Sequence, residues 1–491
     1  MKQTLLIFIA LLLRINTYSQ TNMPIEYEEW KSSPDEYENF DIAKYYTPNI
    51  VRNQLPVYVN LNSNYARSSS DYTTLNLYNE LFEHSASSKK YDLMGHVTST
   101  FWHYVNTRKK ISNLGISLIL DEGYSFQKTN QSALSNTFWN QNTVISENST
   151  GVYWSNKWYL SKLFYLNYSI YDCRMSYYFT QNKIKADSGE GKPKKNAFGF
   201  KFFSGLGMGY GRMEDVEDAR QAVYIANALS KKNVLTRNLS NEELFELSQK
   251  ISTVKNKRFL DSRLHLTDEI STVDSFFVNK NLLNDTGAAY FTTLYDMWQY
   301  GALYSRQSGY ELSFSVHPYY TYNHTKELTD IEVINNSHQA TLEAHLVFNY
   351  EKPVKLNWQH SVETGTYASF QQGKAGETDF NSLFSTKTKT FSAWASYSLS
   401  YYPNTRTQIR ATAAQQIRKI KQTDYAHYTY YNYTPWINVD ISYYFSPHLS
   451  IAGNFNLNYE YYYNKNNDTA GYSKLNKFNT LFNIQFIYSI F

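Results

Sequence analysis

The sequence predicts an all-β transmembrane fold: a closed, antiparallel, up-and-down outer-membrane barrel of about 14 strands, with about 12 to 16 allowed, interrupted by one α-helical periplasmic insert. Three observations predict it. Apolar residues recur with a period of two along most of the 491 residues, and very short turns alternate with longer polar loops. Tyr, Phe and Trp together make 17% of the chain against only 18% charged residues, a composition that suits strands with aromatic girdles. The same composition excludes other classes. Beyond the extreme N-terminus no stretch approaches the ~18 apolar residues of a spanning helix, disordered segments are poor in aromatics, and a net charge of +4 gives no basic field for nucleic acid.

Residues 1–20 read as an export signal: Lys2 supplies the positive start, Leu5 to Leu13 the apolar run, and Tyr18-Ser19-Gln20 the cleavage region. The single cysteine, Cys173, lies far inside the chain, so it neither anchors a lipid nor closes an intramolecular disulfide, and it reads as a small strand residue. Residues 21–70 form an acidic N-terminal segment, with Glu26, Glu28, Glu29, Asp35, Glu36, Glu38 and Asp41. It reads as a solvated periplasmic leader, a docking arm or a small plug. Within it, Val57, Val59 and Leu61 could add a strand.

The first half of the barrel is expected over residues 71–212, with strand candidates at 71–84, 91–107, 111–127, 151–160, 163–181 and 196–211. The period then changes from 2 to 3.6. Val216, Ala219, Val223, Ala226 and Leu229 fall on one helical face, Ser240 with Glu243 makes a capping-box signature before Leu244, Leu247, Ile251 and Val254, and Thr267 is a candidate cap before Ile270, Val273 and Phe277. Residues 213–304 are therefore a helical insert on the periplasmic rim, free to fold beneath the barrel, plug it or meet a partner.

The second half, residues 305–491, carries the clearest alternation. Leu312, Phe314 and Val316 form one row, Leu342, Leu346 and Phe348 the next, and Phe391, Tyr397 and Leu399, then Ile437, Val439 and Ile441, continue it. Short turns near 351–353, 403–404 and 446–448 alternate with polar loops at 323–336, 371–387, 421–433 and 464–477. The end of the chain, with Phe486, Tyr488 and Phe491, resembles the C-terminal assembly signal of outer-membrane barrels, although Phe491 sits one register off the row made by Phe486 and Tyr488.

Two rows are candidate sites. Gly205, Gly207, Gly209 and Gly211 share one strand face, which leaves room for the insert or another backbone to approach, or simply bends the strand; the spacing is not that of a phosphate loop. Arg406, Arg410 and Arg418, with Gln408 and Gln416, form the most concentrated positive row. It reads either as a solvated lumen ladder paired with carboxylates such as Glu343, Glu363, Asp440 and Glu460, or as a source of anion preference. His317, His345 and His360 are dispersed with no metal-ligand spacing and no Ser/His/Asp order, so neither catalysis, metal nor cofactor is expected.

Gly209-Tyr210-Gly211-Arg212-Met213-Glu214-Asp215-Val216, followed by KNKRFLDSRL at 255–264, resembles a family of barrel proteins common in Bacteroidetes-type outer membranes. The resemblance covers about residues 196 to 325 and implies location and fold, in a Gram-negative outer membrane, without a settled activity. The partners it implies are outer-membrane lipid, the barrel assembly machinery and a periplasmic protein, with no nucleic acid. Three functions are open: a channel or transport component for a hydrophilic solute that the insert gates, an adapter barrel with a closed lumen that anchors the helical module, and a barrel hydrolase.

Overall fold

The computed structural model describes residues 37, 39–75, 81–132, 137–186, 189–257, 266–301, 303–329, 332–377, 384–423, 427–446, 449–466 and 471–488. The export signal, Phe491, residues 258–264 of the 255–264 motif and every acidic residue named in the N-terminal segment except Asp41 lie outside them. The first half of the sheet comprises β1 (Ile50–Gln54), β2 (Val57–Leu75), β3 (Leu81–Asn106), β4 (Lys110–Ser132), β5 (Thr137–Tyr159), β6 (Phe164–Ala186), β7 (Gly189–Gly191) and β8 (Lys194–Asp215). Its second half comprises β9 (Gln307–Leu328), β10 (Glu332–Val354), β11 (Trp358–Glu377), β12 (Phe384–Tyr401), β13 (Thr407–Thr423), β14 (Tyr428–Tyr444), β15 (Leu449–Asn466) and β16 (Tyr472–Tyr488).

Each strand pairs antiparallel with its neighbour in chain order, the up-and-down pattern that alternation and short turns favour. β1 and β2 lie end to end along one edge of β3, and β7 and β8 along one edge of β6. The 16 strands thus make 14 staves, six before the insert and eight after it. The expected closure is not seen: the pairing runs from β1 and β2 to β16, and among the described residues no pairing joins the two ends. β16 is exposed on both faces along almost its whole length.

Several boundaries differ from those expected. The first stave begins at Ile50 with β1, inside the segment assigned to residues 21–70, and the candidate at 71–84 runs from the end of β2 into the start of β3. β5 begins at Thr137, ahead of the candidate at 151–160: Thr137 to Thr150 is mostly polar, with Phe138, Trp139, Val144 and Ile145 too scattered to make an apolar row, yet its ladder with β4 is continuous. The polar loops are largely strand for the same reason: Asn323 pairs with Ser337 and Gln371 with Thr341. Backbone hydrogen bonds extend a hairpin whether or not its side chains are apolar. The turn expected at 351–353 lies at Lys355–Asn357, with Lys355 at φ 54°, and Pro353 pairs with Gln359 near the end of the ladder.

Between β8 and β9 stand α1 (Glu217–Lys231), α2 (Asn241–Lys255), α3 (Leu266–Asn279) and α4 (Ala288–Tyr300). The five residues expected on one face of α1 are all fully buried, as are Leu244, Leu247 and Ile251 of α2 and Val273 and Phe277 of α3. The capping box forms, with Ser240 Oγ accepting from the Glu243 amide at 3.2 Å and Glu243 Oε2 from the Ser240 amide at 2.9 Å. Thr267 lies inside the first turn of α3 rather than at its cap.

The N-terminal segment departs furthest from expectation. Tyr37, Phe40, Ile42 and Tyr45 belong to the insert's apolar core, and the Tyr45 hydroxyl donates to the Ser248 carbonyl at 3.3 Å. Burial pushes the Tyr45 phenol well above its ordinary range. From Tyr37 onward this stretch is a structural strap of the helical unit, not a solvated leader. Acidic residues dominate its composition, but the apolar positions between them decide where it packs.

Candidate functional site

The short turns of the sheet and the insert meet at one rim. Near the insert end of the β8–β9 ladder, which runs to Asp215 and Gln307, Gly211 and Gly309 both have positive φ (114° and 127°), where a Cβ would lie 2.1 Å from the backbone oxygen opposite; only glycine fits there. Arg212, next in the chain, donates to Glu214 Oε1 and to Asn106 Oδ1, each at 2.8 Å, and to the Thr107 carbonyl at 3.1 Å. Arg108, from the β3–β4 turn, reaches the same Glu214 oxygen. The Gly-Arg-Met-Glu portion of the motif therefore ties the insert's entry to the rim.

On the other side of the insert a buried arginine and tyrosine cluster forms the junction. Arg306, only 2% exposed, donates Nε to Gln359 Oε1 at 3.1 Å and its terminal nitrogens to the Leu356 and Trp358 carbonyls, so it organises the β10–β11 turn. Its guanidinium stacks on Tyr402 at 4.9 Å, and Arg220 of α1 lies 5.1 Å from the same ring. Burial, then the nearby charge of Arg220, lowers Arg306 to about 10. The Tyr304 hydroxyl lies 2.9 Å from the Arg406 carbonyl and 3.3 Å from that of Ser442, and burial pushes it up to about 12.

The sequence-level arginine row divides. Arg406 belongs to the junction, over the Tyr300 ring at 3.9 Å and donating to Asp296 Oδ1 of α4 at 3.2 Å. Arg410 and Arg418 stay on the sheet, where Arg410 donates to Ser400 Oγ at 3.1 Å and Arg418 Nε has no hydrogen-bond partner. The four carboxylates proposed to pair with them take other donors. Asp440 accepts from Asn438 and Asn454, each at 2.6 Å; Glu460 from the Tyr462 hydroxyl at 2.7 Å; Glu363 from Trp394 Nε1 at 3.0 Å; and Glu343 is 2.9 Å from His345 Nε2. These arginines and carboxylates therefore sit in a hydrogen-bonded network rather than pairing with one another, while ion pairs such as Lys201 with Asp172 at 2.9 Å lie elsewhere on the sheet.

The glycine stripe serves the wall as well. A Cβ on Gly209 would lie 2.3 Å from Tyr165, one on Gly205 2.8 Å from Tyr171 and from His317, and one on Gly207 2.5 Å from Asn167. Neighbouring strands, not the insert, occupy the space the glycines leave: side chains over Gly205 and Gly209, and, as one reading of the stripe expected, close backbone at Gly207 and Gly211, where the Phe314 and Tyr310 carbonyl oxygens would lie 2.4 and 2.1 Å from a Cβ. Tyr165, directly across from Gly209, is fully buried, and Lys157 passes near its ring to reach both oxygens of Glu311 at 2.6 Å. Trp102 over Gly115 and Trp394 over Gly365 repeat the arrangement, a known way of supporting glycines within strands. Gly209, Gly115 and Gly365 each face an aromatic directly across the ladder, whereas Gly205 and Gly207 face Ser169 and Asn167, a pairing that only register reveals.

His317 and His345 do come together, their rings 4.5 Å apart, with Ser315 Oγ 2.6 Å from His317 Nε2. Ser315 and His317 are buried, and His317 Nδ1 has no hydrogen-bond partner, so the carboxylate that would orient a catalytic base is missing from it. Phe486 and Tyr488 are 73% and 70% exposed on β16. Comparison with known protein-family models finds no match, and none is found among curated proteins.

Proposed function

We propose that the two ends of the sheet join to close a 14-stave outer-membrane barrel, and that the helical insert caps its periplasmic end. The protein then works as a channel or transport component for a hydrophilic solute, gated by the insert. The carrying observation is inverted polarity. Leu312, Phe314, Leu342, Leu346, Phe391 and Ile437 are 45–54% exposed, whereas Glu311, Ser315, His317, Thr341, Ser392 and Ser400 on the opposite face are buried. A water-soluble sandwich packs its apolar rows inward; outer-membrane barrels turn them to lipid. An even number of staves makes the end strands antiparallel and able to pair, and strands of 17 to 26 residues exceed the ~9–11 needed to span a bilayer. Closure also removes two long unpaired edges, which otherwise invite aggregation.

The test is single-channel conductance of the purified protein in planar bilayers, beside a variant with residues 213–304 replaced by a short linker. Silence in the intact protein with steps in the variant supports a gate, and steps in both support an open pore. Silence in both overturns the channel reading. The adapter reading has its own observation: Phe291 and Tyr295, one turn apart on α4, are 48% and 44% exposed and form an apolar surface a periplasmic protein could cover.

A further inference from the structure

We propose that the face of α1 turned toward the junction is a binding site for a small phosphate-type oxyanion, with Arg220 as its principal donor. Arg220, Tyr224 and Asn227 recur at i, i+4 and i+7, so they lie along one side of the helix, next to the Ala219, Val223 and Ala226 face. All three are at least nine-tenths buried, at 0%, 7% and 6% exposure. Each nevertheless carries polar atoms with no hydrogen-bond partner: Nε and Nη1 of Arg220, the hydroxyl of Tyr224 and the amide oxygen of Asn227. Gln221, one residue on, instead donates to the Met297 and Trp298 carbonyls of α4.

The charges around this face are equally one-sided. Arg220 makes one long hydrogen bond, from Nη2 to the Gly301 carbonyl at 3.4 Å, and Arg306 across the Tyr402 ring bonds carbonyls and the Gln359 amide oxygen. Glu351, whose charge acts on Arg306, is held by Gln359 Nε2 at 2.7 Å and by Ser361 Oγ at 2.6 Å. Two buried guanidiniums thus share one aromatic ring without a carboxylate bonded to either. Rings stabilise cations only in part, and a buried charge without a counter-ion is strongly unfavourable. Nη2 forms, with Nε on one side or Nη1 on the other, the fork that grips an oxyanion through two parallel bonds; in Arg220 Nη2 is held only by the long Gly301 contact, and the Tyr224 hydroxyl is available as a further donor. The Asn227 amide offers its N–H group after a flip that leaves its shape unchanged.

The site stands whether or not the barrel conducts. It is tested on the full chain in detergent by titrating inorganic phosphate and following heat release, together with the melting of the helical circular dichroism signal. The expected result is saturable uptake of one phosphate and a melting temperature that rises with phosphate concentration. Arg220→Met should weaken uptake at least tenfold and abolish the rise, while melting no lower than wild type in phosphate-free buffer. Tyr224→Phe, which removes one hydroxyl and keeps the ring, should weaken uptake severalfold and guards against misfolding of the first variant. Absence of saturable uptake by the wild type at millimolar phosphate, meaning that water alone fills the face, overturns the proposal. So does an Arg220→Met protein that binds as wild type does.

Discussion

Leu346 on β10 and Phe291 on α4 are both 48% exposed, but they belong to regions built on opposite rules. In the insert, Phe291 belongs with Val278 and Tyr295 to a few exceptions on a unit that mostly hides its large apolar side chains: Val223, Leu244 and Phe277 are fully buried. In the sheet, Leu346 is the rule, and what is hidden is polar, as with Glu311 held by Lys157 or Asp440 held by Asn454. The insert and its N-terminal strap have the polarity of a water-soluble domain. The sheet is held by its backbone ladder and polar inner network, and its outer rows call for an apolar surrounding.

The largest effect should come from the insert's core. Phe277→Ala removes a fully buried ring that packs edge-on against Phe276 at 5.4 Å and Tyr290 at 6.5 Å, and should cost about 3–5 kcal/mol. Urea unfolding read at the helical circular dichroism signal isolates this effect, because all four α-helices among the described residues lie in the insert. A strand signal that survives while the helical signal is lost would make the two regions separate folding units. Loss of both together would make the insert part of the sheet's own stability.

The matched pair in the comparison gives the next effect. Leu346→Arg should cost about 2–4 kcal/mol when folding into phospholipid vesicles, the usual penalty for a charge at the middle of a lipid-facing strand. Phe291→Arg, at the same exposure, should stay within about 0.5 kcal/mol, as surface substitutions in water do. Equal small costs for both would remove the proposed membrane surface and with it the barrel reading.

The sequence made some of this contrast legible and hid the rest for physical reasons. Period two and period 3.6 located the eight later staves and the first three helices, since side-chain burial obeys those periods in either solvent; the fourth, Ala288–Tyr300, is aromatic on several sides and gave no such face. Polar hairpin extensions such as Thr137 to Thr150 escaped, because backbone pairing leaves no apolar trace. Arg406 looked like a member of the Arg410 and Arg418 row because spacing reports the face of a strand; it does not report that Arg406 precedes the strand and faces Tyr300 and Asp296. Arg220 and Arg306 lie far apart in sequence and converge only when the insert closes on the β10–β11 and β12–β13 turns, so no local pattern announced them. The glycine stripe was visible, but its occupants came from neighbouring strands whose register was not.

A smaller effect sharpens the soluble character of the insert. Ser240→Ala removes the side-chain acceptor at the N-terminus of α2 and should cost about 1 kcal/mol, read again by the helical signal, with the sheet unchanged. A shift of the strand signal alongside it would mean that α2 transmits its stability to the rim.

The smallest effect concerns the other half of that capping box. Glu243 is lowered to about 2 from an ordinary 4.5, chiefly by the Arg237 guanidinium, which donates to both its oxygens at 2.8 Å, and further by the Ser240 amide, against an opposing effect of burial. The folded state therefore holds this proton more weakly than the unfolded state. The stabilisation is complete above about pH 4.5 and is lost as pH falls toward about 2. Glu217, pushed up by burial at the start of α1, has the opposite sign, so the acid limb of the wild type alone mixes the two. Glu243→Gln separates them, because glutamine keeps the capping-box acceptor and removes only the charge. Wild type should melt above Glu243→Gln at neutral pH, and the gap should close near pH 2 and shrink in high salt, since Arg237 is half exposed. A gap that persists unchanged at pH 2 would assign the stabilisation to the shape of the carboxylate rather than its charge.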